Sequence, residues 1–208
     1  MDGVFMFKII KIGFLLILMF FAFESGKLWA DKCRLQDTLV RMHVVANSNS
    51  PTDQQLKQKV KDAIVAYITP YMENVDSQEM ALMILGEHLE DIRLVGKSVL
   101  ETYGVLDEIQ VILDEESFDT RDYDTFSLPA GVYQTLEVCI GEGEGKNWWC
   151  VAFPTLCVPT TTEEFTAVAA SAGLDEEVTN TLTHESGYQL RFYFLDQLGK
   201  LENLFSGR

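Results

Sequence analysis

Beyond residue 38 the apolar positions fall into two periods. From Leu39 to Ala46, Val40, Met42 and Val44 alternate with Arg41, His43 and Val45, which predicts a strand ending in the polar turn Asn47-Ser48-Asn49-Ser50. Ser50 then caps a helix, with Pro51 at its first position and Asp53 placed to return the cap bond. Leu56, Val60, Ile64, Tyr67, Ile68 and Tyr71 recur at helical spacing and leave Lys57, Lys59 and Lys61 on the wet side, while Pro70 weakens the last turn. A second helix begins at an Asp76 cap with Glu79 three residues on. It buries Leu85, His88, Ile92, Val95 and Val99, and ends at Tyr103-Gly104.

Val105 to Leu113 alternates well enough for a second strand, and Gly131 to Ile140 with Trp148 to Phe153 reads as a hairpin. The connection from Asp114 to Ala130 carries Phe118, Tyr123, Phe126 and Leu128. Such side chains hold a loop down on its own domain or on a partner. Two helices between the first two strands, followed by a hairpin, predict an α+β fold: a small mixed β-sheet with helices packed on one face.

Further on, Thr161 and Glu164 form a capping box ahead of Phe165, Val168 and Ala169, with Gly173 as a stop. Tyr188, Leu190, Phe192 and Phe194 alternate with Gln189, Arg191 and Tyr193, as in a strand. Leu195, Leu198, Leu201 and Phe205 then repeat at helical spacing, so a strand leading into a tail helix and one bent amphipathic helix both fit. The organisation expected is a targeting or anchoring segment over 1–30, a linker over 31–38, a core domain over 39–160, and an extension over 161–208 packed on the core.

The N-terminus bears on compartment. Lys8 and Lys11 precede the apolar run Ile12 to Phe23, twelve residues that fit the core of a secretory signal. Phe5 to Phe23 spans nineteen residues, close to the roughly twenty that cross a bilayer, if the two lysines reach headgroups. Leu28-Trp29-Ala30 makes a poor cleavage site, so cleaved signal and retained anchor both stay open, and either implies export.

Charge narrows the partners. Of 16 basic and 32 acidic residues, Lys8, Lys11, Lys27, Asp2 and Glu24 precede residue 31, leaving 13 basic and 30 acidic side chains and a formal charge of −17. Phosphate backbones and anionic headgroups repel such a surface, so no nucleic-acid partner is expected, and membrane contact is confined to residues 5–23 if that segment is retained. In an oxidising space two of Cys139, Cys150 and Cys157 can bridge. A hairpin turn near Glu144 and Gly145 would set Cys139 opposite Cys150, whereas Cys150 with Cys157 would staple the strand end to the loop after it; spacing does not choose. No Cys or His pair has a tight chelating spacing, and no metal or cofactor is expected.

A catalytic constellation is hard to find. His43, His88 and His184 are the only histidines, and His88 falls in a helical stripe where a hydrogen-bonded, half-buried role is the ordinary one. Cys150 or Cys157 with one of these, or a carboxylate pair, would make an exported cell-wall or peptide hydrolase, and this is the alternative to a non-catalytic role. The run Gly141-Glu142-Gly143-Glu144-Gly145-Lys146 is no phosphate loop: Glu142 and Glu144 would face the phosphates, and Lys146 lacks an adjoining Ser or Thr. Its glycines suit a tight turn.

What stands out is Asn147-Trp148-Trp149 directly after that turn. Neighbouring strand residues face opposite sides, so one tryptophan is core. The other faces solvent, the aromatic loop 115–130, or another protein, and exposed tryptophan beside a shaped loop has the composition of an interface hot spot. Gly143, Gly145, Asn147, Trp148, Trp149, Phe118 and Tyr123 are therefore the expected partner-binding residues, with no catalytic residue among them.

Several blocks in order resemble the stage II sporulation protein R family: Arg41-Met42-His43-Val44-Val45-Ala46-Asn47-Ser48-Asn49-Ser50, Asp53-Gln54-Gln55-Leu56-Lys57, Lys61-Asp62-Ala63, Pro129-Ala130-Gly131-Val132-Tyr133, and Ile140 to Val151 through Asn147-Trp148-Trp149-Cys150, then Phe153-Pro154 and Leu156-Cys157. The resemblance runs from about 39 to 158. It implies a signal exported from the forespore into the intermembrane space. There it would activate a membrane-embedded aspartic protease of the mother cell, which processes the sigma-E precursor. With that role goes the expectation that Cys150 and Cys157 are joined.

Overall fold

The computed structural model describes residues 3–123, 125–155, 157, 161–171, 174, 176–183 and 189–206. Its elements run α1 (Gly3–Thr38), β1 (Val40–Val45), α2 (Pro51–Met72), α3 (Gln78–Glu87), α4 (Leu89–Thr102), β2 (Ile109–Phe118), β3 (Arg121–Asp122), β4 (Ser127–Leu128), β5 (Gly131–Ile140), β6 (Asn147–Phe153), α5 (Thr162–Ser171), α6 (Glu176–Leu182) and α7 (Gln189–Ser206). The fold is α+β, with a mixed four-stranded sheet in the order β2-β5-β1-β6.

The order corrects the expected hairpin. All six residues of β1 are buried, Arg41 and His43 included, and a strand wet on neither face belongs in the middle of a sheet. It lies parallel to β5, with Val45 against Cys139, and antiparallel to β6, with Met42 against Cys150. Segments 131–140 and 147–153 are thus not neighbours. Residues 141–146 bridge two strand spacings, about 9–10 Å, over the end of β1. Cys139 is separated from Cys150 by that strand, and the disulfide joins Cys150 to Cys157.

One sheet face is covered by α2, α3 and α4 as expected. Ser50 caps α2 by accepting the Asp53 N–H at 3.1 Å, and Val60, Ile64 and Ile68 are at most 1% exposed. Burying each contributes about 1.5–3 kcal/mol, enough together to outweigh the ~3 kcal/mol of a proline inside the helix at Pro70. Tyr71 is exposed, its ring lying against Tyr67 and His88 rather than in the core. The second predicted helix breaks at His88 into α3 and α4, and its cap is Ser77, which accepts the Met80 N–H, rather than Asp76.

The other face has its own core. Phe118, Tyr133 and Val151 from the sheet meet Leu35 and Leu39 of α1 and its exit, Phe165 and Ala169 of α5, and Val178 and Leu182 of α6. The capping box forms, with Thr161 N–H on Glu164 and Glu164 N–H on Thr161. Residues 31–38, expected as a linker, instead continue α1. Lys32 and Leu35 are each 1% exposed, and Lys32 donates to Glu202 of α7 at 2.6 Å. Residues 189–194 are helical, correcting the strand reading, because Leu195, Asp196 and Glu202 share a face that seats on the domain. Tyr188, Gly173 and His184 lie outside the described residues. The connection 114–130 is largely ordered structure: β2 runs on to Phe118, and β3 pairs with β4. Over Lys11–Thr38, α1 is long and apolar enough to cross a membrane, which is compatible with a signal or an anchor.

Candidate functional site

Two loops at one end of the sheet are bonded into a single piece. Gly145 N–H donates to the Ala46 carbonyl at 2.9 Å and Glu144 N–H to the Asn47 carbonyl at 3.1 Å. The Asn47 side-chain oxygen accepts Glu142 N–H at 3.0 Å, and that of Asn49 accepts Lys146 N–H at 2.9 Å. From below, Lys57 donates its ammonium to the Lys146 carbonyl at 2.7 Å and to Gln54 at 2.8 Å. Lys57 was expected in water and is 3% exposed; burial, then the charge of Lys146, holds its pKa below the usual lysine range. Asp53 does not return the cap bond either. Its carboxylate accepts from Ser48 at 2.5 Å, bracing the same loop.

The glycines are explained by proximity. Gly141 and Gly143 have positive φ, 58° and 66°. A Cβ at Gly141 would fall 2.3 Å from the Asn47 side-chain oxygen, and one at Gly143 would fall 2.5 Å from Cys139 Sγ. Gly143 and Gly145 are therefore the underside of the loop, while Glu142, Glu144, Lys146 and Asn147 point to water.

The tryptophans do not divide into one core and one free ring. Both are half-buried, on opposite faces of β6. Trp148 packs on the helical side, with Lys61 Nζ 4.8 Å from its ring. Trp149 stacks on His43 at 3.7 Å and meets Phe118 edge-on at 4.9 Å, with the Arg121 guanidinium 4.8 Å from its ring. Phe118, expected as a contact residue, is 2% exposed and belongs to the core, because β2 carries it under α5 and α6. Tyr123 is half-buried, stacks on Phe126, and accepts a bond from Arg41 at 3.0 Å. Of the seven residues singled out, Asn147 is the one presented outright to solvent.

For the hydrolase alternative, the disulfide takes up both thiols it relied on. Cys139 lies on the His43 side of the sheet, but burial, then Glu137 and Glu142, pushes its thiol up, away from the reactive thiolate. His43 Nδ1 faces Glu116 at 3.0 Å, and His88 is half-buried against Tyr67 and Asp91. Among the described residues no group of three or more potential metal ligands comes together. Sequence reasoning missed Asn47, Asn49 and Lys57, whose roles depend on a loop about a hundred residues away. The one available signal was a polar Asn-Ser-Asn-Ser run facing a glycine run at the same end of two predicted strands.

The profile of a family described as Stage II sporulation protein R (spore_II_R) matches residues 36–163. Stage II sporulation protein R of Bacillus subtilis (strain 168) is 37% identical over 123 residues, 59% of this chain and 55% of that protein. The chain thus spans about half the length of the curated relative it matches. No solved structure matches it.

Proposed function

Because the chain belongs to the stage II sporulation protein R family, we propose that it acts in sporulation as an exported signal that switches on a membrane-embedded protease, which then processes the sigma-E precursor. The contact we assign is the edge formed by Glu142, Glu144, Lys146 and Asn147, with the rims of Trp148 and Trp149 beside it. The supporting observation is the bonding of loop 141–146 onto residues 46–49, with three glycines and a buried lysine used to hold a segment that adds little to the core. Such a loop is ordered before it meets anything, which lowers the entropy cost of recognition. The apolar α1 supports export, by cleaved signal or retained anchor.

The test is reconstitution in cells that carry only the protease and its sigma precursor, with this chain exported beside them. Processing is expected with the native chain. It is expected to fall at least tenfold with Asn147→Ala combined with Glu144→Lys, both at exposed positions, at equal exported amounts. Full processing with this variant would remove the edge from the reading; no processing with any version would remove the protease as partner.

A further inference from the structure

We propose that the sheet face beside Trp149 is a carboxylate-binding site built from Arg41 and Arg121. Arg41 is 0% exposed. Its Nη2 donates to the Tyr123 hydroxyl at 3.0 Å, whereas its Nε and Nη1 have no acceptor. No carboxylate pairs with it among the described residues. Its guanidinium lies 3.8 Å from the Phe118 ring centre and 5.2 Å from that of Tyr133. Aromatic faces offset part of the cost of enclosing a lone cation, but they do not satisfy its N–H groups.

The same condition recurs next to it. Arg121 Nε and His43 Nε2 are also buried without partners. Trp149 touches both residues, and Phe118 touches Arg41 and Trp149, so the three side chains line one continuous aromatic wall. Two carboxylates stand near. Glu116 is engaged by His43 Nδ1, and Glu137, half-buried, sits opposite His43 in the strand register. Neither pairs with an arginine. Two arginines gathered without counter-charges among the described residues, in a chain of formal charge −16, are what an incoming anion would neutralise. Planar guanidinium groups favour a carboxylate, which accepts two parallel N–H bonds. Arg121 and Trp149 are half-buried while Arg41 is enclosed, so the open side of the wall is theirs. The site does not depend on the protease reading. The carboxylate comes from a small free anion or from an acidic residue of a bound peptide.

The full chain in detergent, titrated with sodium acetate and separately with a blocked glutamyl dipeptide, both against sodium chloride at matched ionic strength, tests this. Tryptophan fluorescence and melting temperature are the readouts. A saturable change with either probe is expected, weakened at least tenfold in Arg121→Gln. Arg41→Met addresses the deeper donor, and the half-buried Arg121 position keeps the test open if that variant does not fold. Equal response to both probes identifies a small-anion site, and response to the dipeptide alone identifies a peptide site. No saturable response beyond chloride, or the same response in Arg121→Gln, overturns the proposal.

Discussion

The Gly145 amide donates to the Ala46 carbonyl at 2.9 Å, and a Cβ on Gly145 would lie 2.7 Å from that same oxygen. It would also come within 2.4 Å of the Ser48 carbonyl. Both obstacles are backbone, so neither can swing away.

Gly145→Ala should therefore cost about 2–3 kcal/mol of stability, in the range of substitutions that displace packed backbone. Glu144→Ala, one residue away and exposed, should stay within ~0.5 kcal/mol. Urea unfolding of the two variants beside the native chain checks this, and equal midpoints would mean that the two loops are not one rigid piece.

Joining Cys150 to Cys157 closes a short loop, and by chain entropy that is worth about 2–3 kcal/mol. Cys157→Ser with Cys150→Ser should lower stability by that amount, and non-reducing peptide mapping of exported protein should recover the 150–157 crosslink. Finding both thiols free in exported material would contradict it.

Glu202 ties α7 to α1. Burial pushes its carboxyl up, but hydrogen bonds from Lys32, Gln36 and the Val132 N–H outweigh this and hold it below the usual carboxylate range. A depressed folded pKa gives stability that is present above the unfolded value, about 4.3 for Glu, and lost as pH falls through the folded one. Asp196, lowered through Lys200, Thr120 and Ala130 against the upward push of burial, acts in the same direction. Melting temperature should thus drop on acidification below the usual carboxylate range, and drop less steeply in Glu202→Gln. Parallel curves for the two proteins would show that the contact carries no such linkage.

Phe165 lies beyond the family match, yet it is 1% exposed and stacks on Phe126 at 4.4 Å. Phe165→Ala should destabilise the domain by about 3–5 kcal/mol and do so in one cooperative transition. If residues 39–158 melt unchanged, the extension is an accessory and not part of the core.

Much of the local structure was legible because it rests on short-range rules. The Ser50 cap, the Thr161–Glu164 box and the Val60, Ile64 and Ile68 stripe depend on residues a turn or two apart. The site was harder to read. Trp148 and Trp149 do face opposite ways, as a strand requires, but what covers each face comes from α2 on one side and from β2 and the β3 segment on the other. Lys57 looks like any wet lysine until loop 141–146 is placed above it.

By itself the chain determined period: which residues share a face, where helices begin, and where glycine is needed for a turn. It also carried the blocks that place it in its family. Only tertiary structure decided that β1 lies between β5 and β6, that Arg41 and His43 are enclosed, and that the Asn47 loop and the Gly145 loop close on each other. Periodicity is set by neighbours along the backbone, whereas a strand's partner is chosen by whichever distant segment best completes its hydrogen bonds and covers its side chains.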